Sequence, residues 1–179
     1  MVDRKVTLKI FAIAPFMLMV AACATGYQMS NPIGIGSPIA EAKIKSWNID
    51  IDPTGANLPN GSGTVEAGRV IYQQQCASCH GDKGQGGLAN RLAGGGQLAS
   101  NSPVKTVGSY WPYSTTVFDY IRRAMPHNAP QSLTSDQVYA ITAYILFLNG
   151  IIPMDAEMNA ESLPLVKMPN RDGFIRIER

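Results

Sequence analysis

The chain has 179 residues, 45% of them hydrophobic and 16% charged, which fits one globular domain. No block of like charge occurs, which argues against a nucleic-acid-binding protein. The formal net charge of +2 sits entirely in the leader, where Arg4, Lys5 and Lys9 stand against Asp3; from Cys23 onward twelve Lys and Arg face twelve Asp and Glu.

The first element is a targeting segment. A basic start is followed by the apolar run "IFAIAPFMLMVAA" and then Cys23. The run is shorter than the ~20 residues that span a bilayer, and Pro15 interrupts it, so it reads as a secretory signal over residues 1–22. The ending "VAAC" resembles a bacterial lipobox, which makes Cys23 a candidate lipid anchor; cleavage elsewhere, for example after Ala24, is the alternative. Export implies an oxidising compartment, most simply a bacterial periplasm.

Residues 23–61 form a Gly-, Pro- and Asn-rich arm. A short helix near Ile39–Trp47 is expected there, with Trp47, Ile49 and Ile51 alternating as in a strand or a laid-down arm. A helix from Val65 to Gln75 follows, N-capped by Thr64 with Glu66 in its first turn. Gly68 and Tyr72 share one face of it, matching Ala140 and Tyr144 on the last helix, and these four are expected to pack together. A second helix spans about Thr115–Met125, with Val117, Phe118, Ile121 and Met125 on one face and Pro126 as its stop. The third carries a capping box, Thr134 with Gln137, then Val138, Ile141, Ile145 and Leu148 at helical spacing, and ends at Asn149-Gly150. Residues 62–152 hold these helices. Residues 153–179 show no sustained period and read as a second extended arm.

The chemistry sits in "QQQCASCHGDKGQGG", which places Cys76, Cys79 and His80 within five residues. Cys-x-x-Cys-His is the spacing for covalent c-type haem attachment. Each thiol can add to one haem vinyl group, and the adjacent imidazole then meets the iron from the same side. A zinc site needs four ligands, and beyond these residues only His127 offers itself. A thiol–disulfide catalyst wants its motif at a helix start, where the dipole lowers the thiol pKa, whereas this one follows a helix end. For the iron's other axial position Met125 is the candidate, since a thioether raises haem potential and suits electron transfer. His127 is its rival, and Met154, Met158 and Met168 are weaker ones. Trp111, Tyr110, Lys105 and Arg91 are candidates for the haem propionates. Arg122 and Arg123, beside Asp119, suggest a solvated face or docking patch.

Together these residues resemble class I c-type cytochromes: a mainly α fold of three principal helices around one covalently bound haem c, here with extended N- and C-terminal arms. In that family a proline carbonyl after the haem motif accepts a bond from the axial histidine; here Asn90 stands in that place, and its carbonyl can still accept. Outside the motif, "IDIDPTGANLPNGSGTV", "KTVGSYWPYSTTVFDYIRRAMP", "YAITAYILFLNGII" and "LPLVKMPNRDGF" are similar to the SoxD family, the cytochrome subunits of periplasmic sulfur dehydrogenases. That resemblance implies a molybdenum-cofactor dehydrogenase subunit as partner, a protein-borne persulfide as the sulfur substrate, and another cytochrome or an oxidase as downstream acceptor. Related cytochromes serve sulfite dehydrogenases. A free electron shuttle, or a haem enzyme or gas sensor with an open iron site, are the alternatives. The arms are expected to form little core of their own and to wrap onto the partner subunit. No independent catalytic residues are evident.

Overall fold

The structure is a computed structural model that describes residues 36–175, except for the side chain of Ser46. The signal segment, Cys23 and the last four residues lie outside the described residues. The residues from Lys45 onward form a compact unit of their own, which holds every feature discussed below except the start of the first helix.

The first helix, α1 (Glu41–Trp47), ends on a Trp47 that is 78% exposed. No strand follows it. The chain instead turns through "IDPTGAN", where the Asp52 carboxylate accepts the N–H groups of Thr54 and Ala56 and the Thr54 hydroxyl. These bonds hold the carboxyl below its ordinary pKa, the Thr54 hydroxyl most of all. A three-residue strand, β1 (Ser62–Thr64), then leads directly into α2 (Val65–Gln75). Thr64 caps α2 by accepting the Ala67 N–H at 3.2 Å, as its position before an apolar run predicts. Next come α3 (Ala77–His80), α4 (Val107–Tyr110), α5 (Ser114–Ala124) and α6 (Ser135–Leu148). Both α4 and α6 begin in complete capping boxes, Thr106 with Ser109 and Thr134 with Gln137.

The core is the packing of α2 and α5 onto α6. Residues Val138 to Leu146 are all buried, so α6 is not a one-faced helix but one enclosed on every side. Its tightest neighbour is α2. A Cβ on Gly68 would overlap the Ala140 carbonyl, and one on Gly63 would overlap the Ala140 backbone nitrogen. Glycine at both places lets the backbones meet, and the Tyr72 and Tyr144 rings then pack 5.2 Å apart at 59°.

The arms take part in this core. β2 (Glu157–Asn159) pairs antiparallel with β1, placing Met158 opposite Gly63. A 3-10 turn, Leu163–Leu165, follows, and Met158, Leu163 and Met168 are 5%, 0% and 1% exposed. Each such burial is worth roughly 1.5–3 kcal/mol relative to exposure, enough in sum to hold the segment against the helices. The C-terminal arm, read as extended and with little core of its own, thus joins the helical core through apolar residues at irregular spacing. On the N-terminal side Ile51 is buried, the Tyr139 hydroxyl donates to the Pro59 carbonyl at 2.9 Å, and Asp136 accepts the Ser62 N–H at 2.9 Å. Arg123, read from the sequence as a solvated face or docking patch, bridges Asp119 and Asp50 and so ties that arm to α5.

One bond marks how the C-terminal arm docks. The Ser114 hydroxyl, at the start of α5, donates to the Leu163 carbonyl at 2.6 Å within the protein interior. Ser114→Ala would leave that carbonyl only its longer bond from the Val166 N–H at 3.2 Å, and chemical denaturation is expected to show a loss of roughly 0.5–1.5 kcal/mol.

Candidate haem site

The Cys-x-x-Cys-His segment is positioned by the end of α2. Cys76 is its C-cap, donating its N–H to the Tyr72 carbonyl at 2.8 Å, and the chain then makes the single turn of α3. Tyr72 reaches forward from α2, its hydroxyl donating to the Gly81 carbonyl at 2.9 Å, while Gln73 donates to the Asp82 carbonyl at 2.9 Å. Burial pushes the Tyr72 phenol well above its ordinary pKa, so it stays a donor.

Both cysteines carry free thiols, Cys76 half-buried and Cys79 exposed. Burial, and then the nearby Cys79, push the Cys76 thiol up to about 11. A thiol–disulfide catalyst is favoured by a lowered thiol pKa, so the shift at Cys76 argues against a redox dithiol. Among the described residues no group of three or more His, Cys, Asp or Glu is arranged to hold a metal ion by itself.

His80 is oriented by the loop that follows. Its Nδ1 lies 2.7 Å from the Asn90 carbonyl oxygen. A carbonyl can only accept, so Nδ1 carries the proton and Nε2 keeps a free lone pair for a metal. The residue at position 90 thus supplies the carbonyl that the sequence anticipates, without a proline ring.

Cys76, Cys79 and His80 open onto a cavity of about 860 Å³. Tyr72, Leu92, Ile121, Leu133, Ile141 and Ile145 form its apolar wall, and Met125, Pro126 and His127 complete it. Met125 is the C-cap of α5, its N–H bonded to the Ile121 carbonyl at 3.0 Å. The chain leaves the helix there, which brings the thioether and the imidazole of His127 to the same cavity. Leu88 also lines it while remaining 90% exposed, a residue the sequence did not single out because nothing periodic surrounds it.

Not every predicted site residue gathers here. Trp111 packs edge-on against Tyr120 with ring centres 5.6 Å apart, and the Arg91 Nε–H donates to the Gln85 carbonyl at 3.0 Å. Tyr110 lies under Lys105 and against Phe174. None of these four lines the cavity.

The donor set fits haem: an apolar cavity of that size, two thiols on one turn, and an imidazole with its outer nitrogen free. Comparison with known proteins agrees. The family described as cytochrome c oxidase, cbb3-type, subunit III matches residues 63–145. A chain of the crystal structure of the sulfane dehydrogenase SoxCD from Paracoccus pantotrophus is 42% identical, with a TM-score of 0.75, over 82% of this chain and 73% of that one. The chain belongs to the class I c-type cytochromes, close to SoxD. Its cofactor is haem c. The cytochrome is also 32% identical over 108 residues to the thiosulfate dehydrogenase of Stutzerimonas stutzeri (strain A1501), a match covering 52% of this chain and 33% of that protein. The match thus spans about a third of the length of this curated relative.

The fold narrows the methionines of this cytochrome. Met158 and Met168 are core residues and Met154 is half-exposed, and none of them lines the cavity. Met125 does.

Proposed function

We propose that this cytochrome is a periplasmic, single-haem electron-transfer subunit that accepts electrons from a molybdenum-cofactor sulfur dehydrogenase and passes them to a further cytochrome or an oxidase. Cys76 and Cys79 tether the haem through thioethers, and His80 Nε2 and the Met125 sulfur hold the iron. When bound, the haem supplies a one-electron couple. The chain's own part is to fix that couple. Asn90 orients the imidazole, the thioether favours the reduced iron, and Leu92, Ile121, Ile141 and Ile145 keep water from the ring. The observation that carries this reading is the joining of Cys76, Cys79, His80 and Met125 around one cavity. Support for the sulfur-oxidising pathway comes from the 42% identity to a chain of SoxCD and the partial likeness to a thiosulfate dehydrogenase.

Export rests on the leader at 1–22, with Cys23 as the lipid-anchor candidate. No helix among the described residues is long and apolar enough to cross a membrane. A second reading of the ligand set has one observation in its favour, that His127 lines the same cavity as Met125. The docked C-terminal arm still presents Leu165 and Phe174, 82% and 51% exposed, as surface for a partner.

Affinity purification of the tagged chain from its native cells tests the pathway. Co-purification of a molybdenum-containing subunit, and reduction of the haem band on adding a sulfane-sulfur donor, are expected. Elution of the cytochrome alone, with no molybdenum and no reduction, would overturn the assignment.

A further inference from the structure

The loop that orients His80 is held from a distant part of the chain. Ala89 N–H donates to the Cys79 carbonyl at 2.9 Å just before Asn90, and Leu92 and Ala93 N–H donate to the Gly84 carbonyl at 2.8 and 2.9 Å just after it. These bonds tie the loop to itself and to the haem motif, but not to the helical core. Asn149 does that. Its Oδ1 accepts the Gly94 N–H at 3.0 Å, and its Nδ2 donates to the Leu92 carbonyl at 3.2 Å and the Ile145 carbonyl at 2.8 Å. One side chain at the end of α6 therefore grips the loop on both sides of Ala93 while bonded to its own helix. Its rotamer is confined too, because α4 passes so close that a Cβ on Gly108 would overlap the Asn149 amide.

We propose that Asn149 is a positioning residue for His80, setting the strength of the hydrogen bond from Nδ1 to the Asn90 carbonyl and through it the electron density on the iron-facing nitrogen. The inference rests on His80 as an iron ligand. A histidine whose Nδ1–H is well bonded is more basic at Nε2 and favours oxidised iron. A loop cut from α6 loses part of that alignment, so the reduced state gains.

The test is Asn149→Ala in the haem-loaded protein, against Thr134→Ala as control. The control removes the cap at the other end of the same helix, a loss of stability without contact with the loop. Asn149→Ala is expected to raise the midpoint potential. It should also speed exchange of the His80 Nδ1–H and the Leu92 and Gly94 amides by about 5- to 30-fold, the loss of one or two net hydrogen bonds. Thr134→Ala should shift neither. If Asn149→Ala does not assemble, Asn149→Asp, which keeps the acceptor for Gly94 but loses the donor to Leu92, is read in its place by the exchange of the His80 Nδ1–H and the Leu92 amide alone, since its added charge would itself lower the potential. An unchanged potential and His80 exchange, or equal shifts in the control, would overturn the proposal. If instead His80 is not a ligand, the unmodified protein lacks an imidazole-ligated low-spin spectrum before any variant is made, while exchange at Leu92 and Gly94 still reports the grip of Asn149.

Discussion

Met125→Ala is expected to lower the midpoint potential by the order of 0.1–0.3 V, a fraction of the ~0.8 V range that axial ligands command. The thioether is a soft donor that favours reduced iron, and alanine leaves only water or a harder ligand to replace it. The reduced variant should bind carbon monoxide, which the native protein, on the proposed His80–Met125 ligation, should not. Redox titration with a spectrum at each end measures both effects. A variant that stays low-spin, refuses carbon monoxide and has a lower potential would mean that His127, on the same cavity wall, takes the position. An unchanged potential would remove Met125 from the ligand set.

Gly68→Ala is the second large effect, and it is a matter of packing alone. The added methyl would overlap the Ala140 carbonyl and crowd the Tyr144 Cβ, both on the buried α6. Backbone atoms cannot turn aside as a side-chain tip can, so α2 and α6 must separate. The expected loss is at or above the upper end of the roughly 1–3 kcal/mol seen for overpacked cores. Because Tyr72 and Cys76 sit on and just after α2, the shift would also disturb the haem motif, and the yield of haem-loaded protein should fall. Urea unfolding of the holoprotein gives the number. A loss below about 0.5 kcal/mol, the range of surface substitutions, would contradict the close approach.

What could be read beforehand follows the range of the interactions. The helices at Val65–Gln75 and Ser135–Leu148 were legible because their caps, Thr64 and Thr134, act within three residues. The Gly68/Tyr72 match to Ala140/Tyr144 was legible from equal spacing on two helices. The haem motif was legible because its chemistry demands adjacency. By contrast, nothing periodic announces α4, since four residues between turns carry no period and only the Thr106–Ser109 capping box marks it. The burial of Met158, Leu163 and Met168 depends on a groove formed by β1 and α5, which no local pattern announces. Asn149 was read as a helix stop and no more. Its bonds to Leu92 and Gly94 cross more than fifty residues of chain and exist only once α6 and the loop meet.

The same limit applies to the site. His80, Cys76 and Cys79 are proposed from spacing, whereas the candidates Arg91 and Trp111 rest on residue type alone, and here Arg91 bonds the Gln85 carbonyl and Trp111 packs on Tyr120. Met125 fell between these cases. Its place before Pro126 was a sequence signal, but only the cavity separates it from Met154, Met158 and Met168.

The central claim is a haem c held between His80 and Met125 in this cavity, and the optical spectrum of the native protein tests it most directly. The oxidised form should show the weak far-red band of sulfur-to-iron charge transfer, and the reduced form should be indifferent to carbon monoxide. A native protein without that band whose reduced form binds carbon monoxide at once would contradict it.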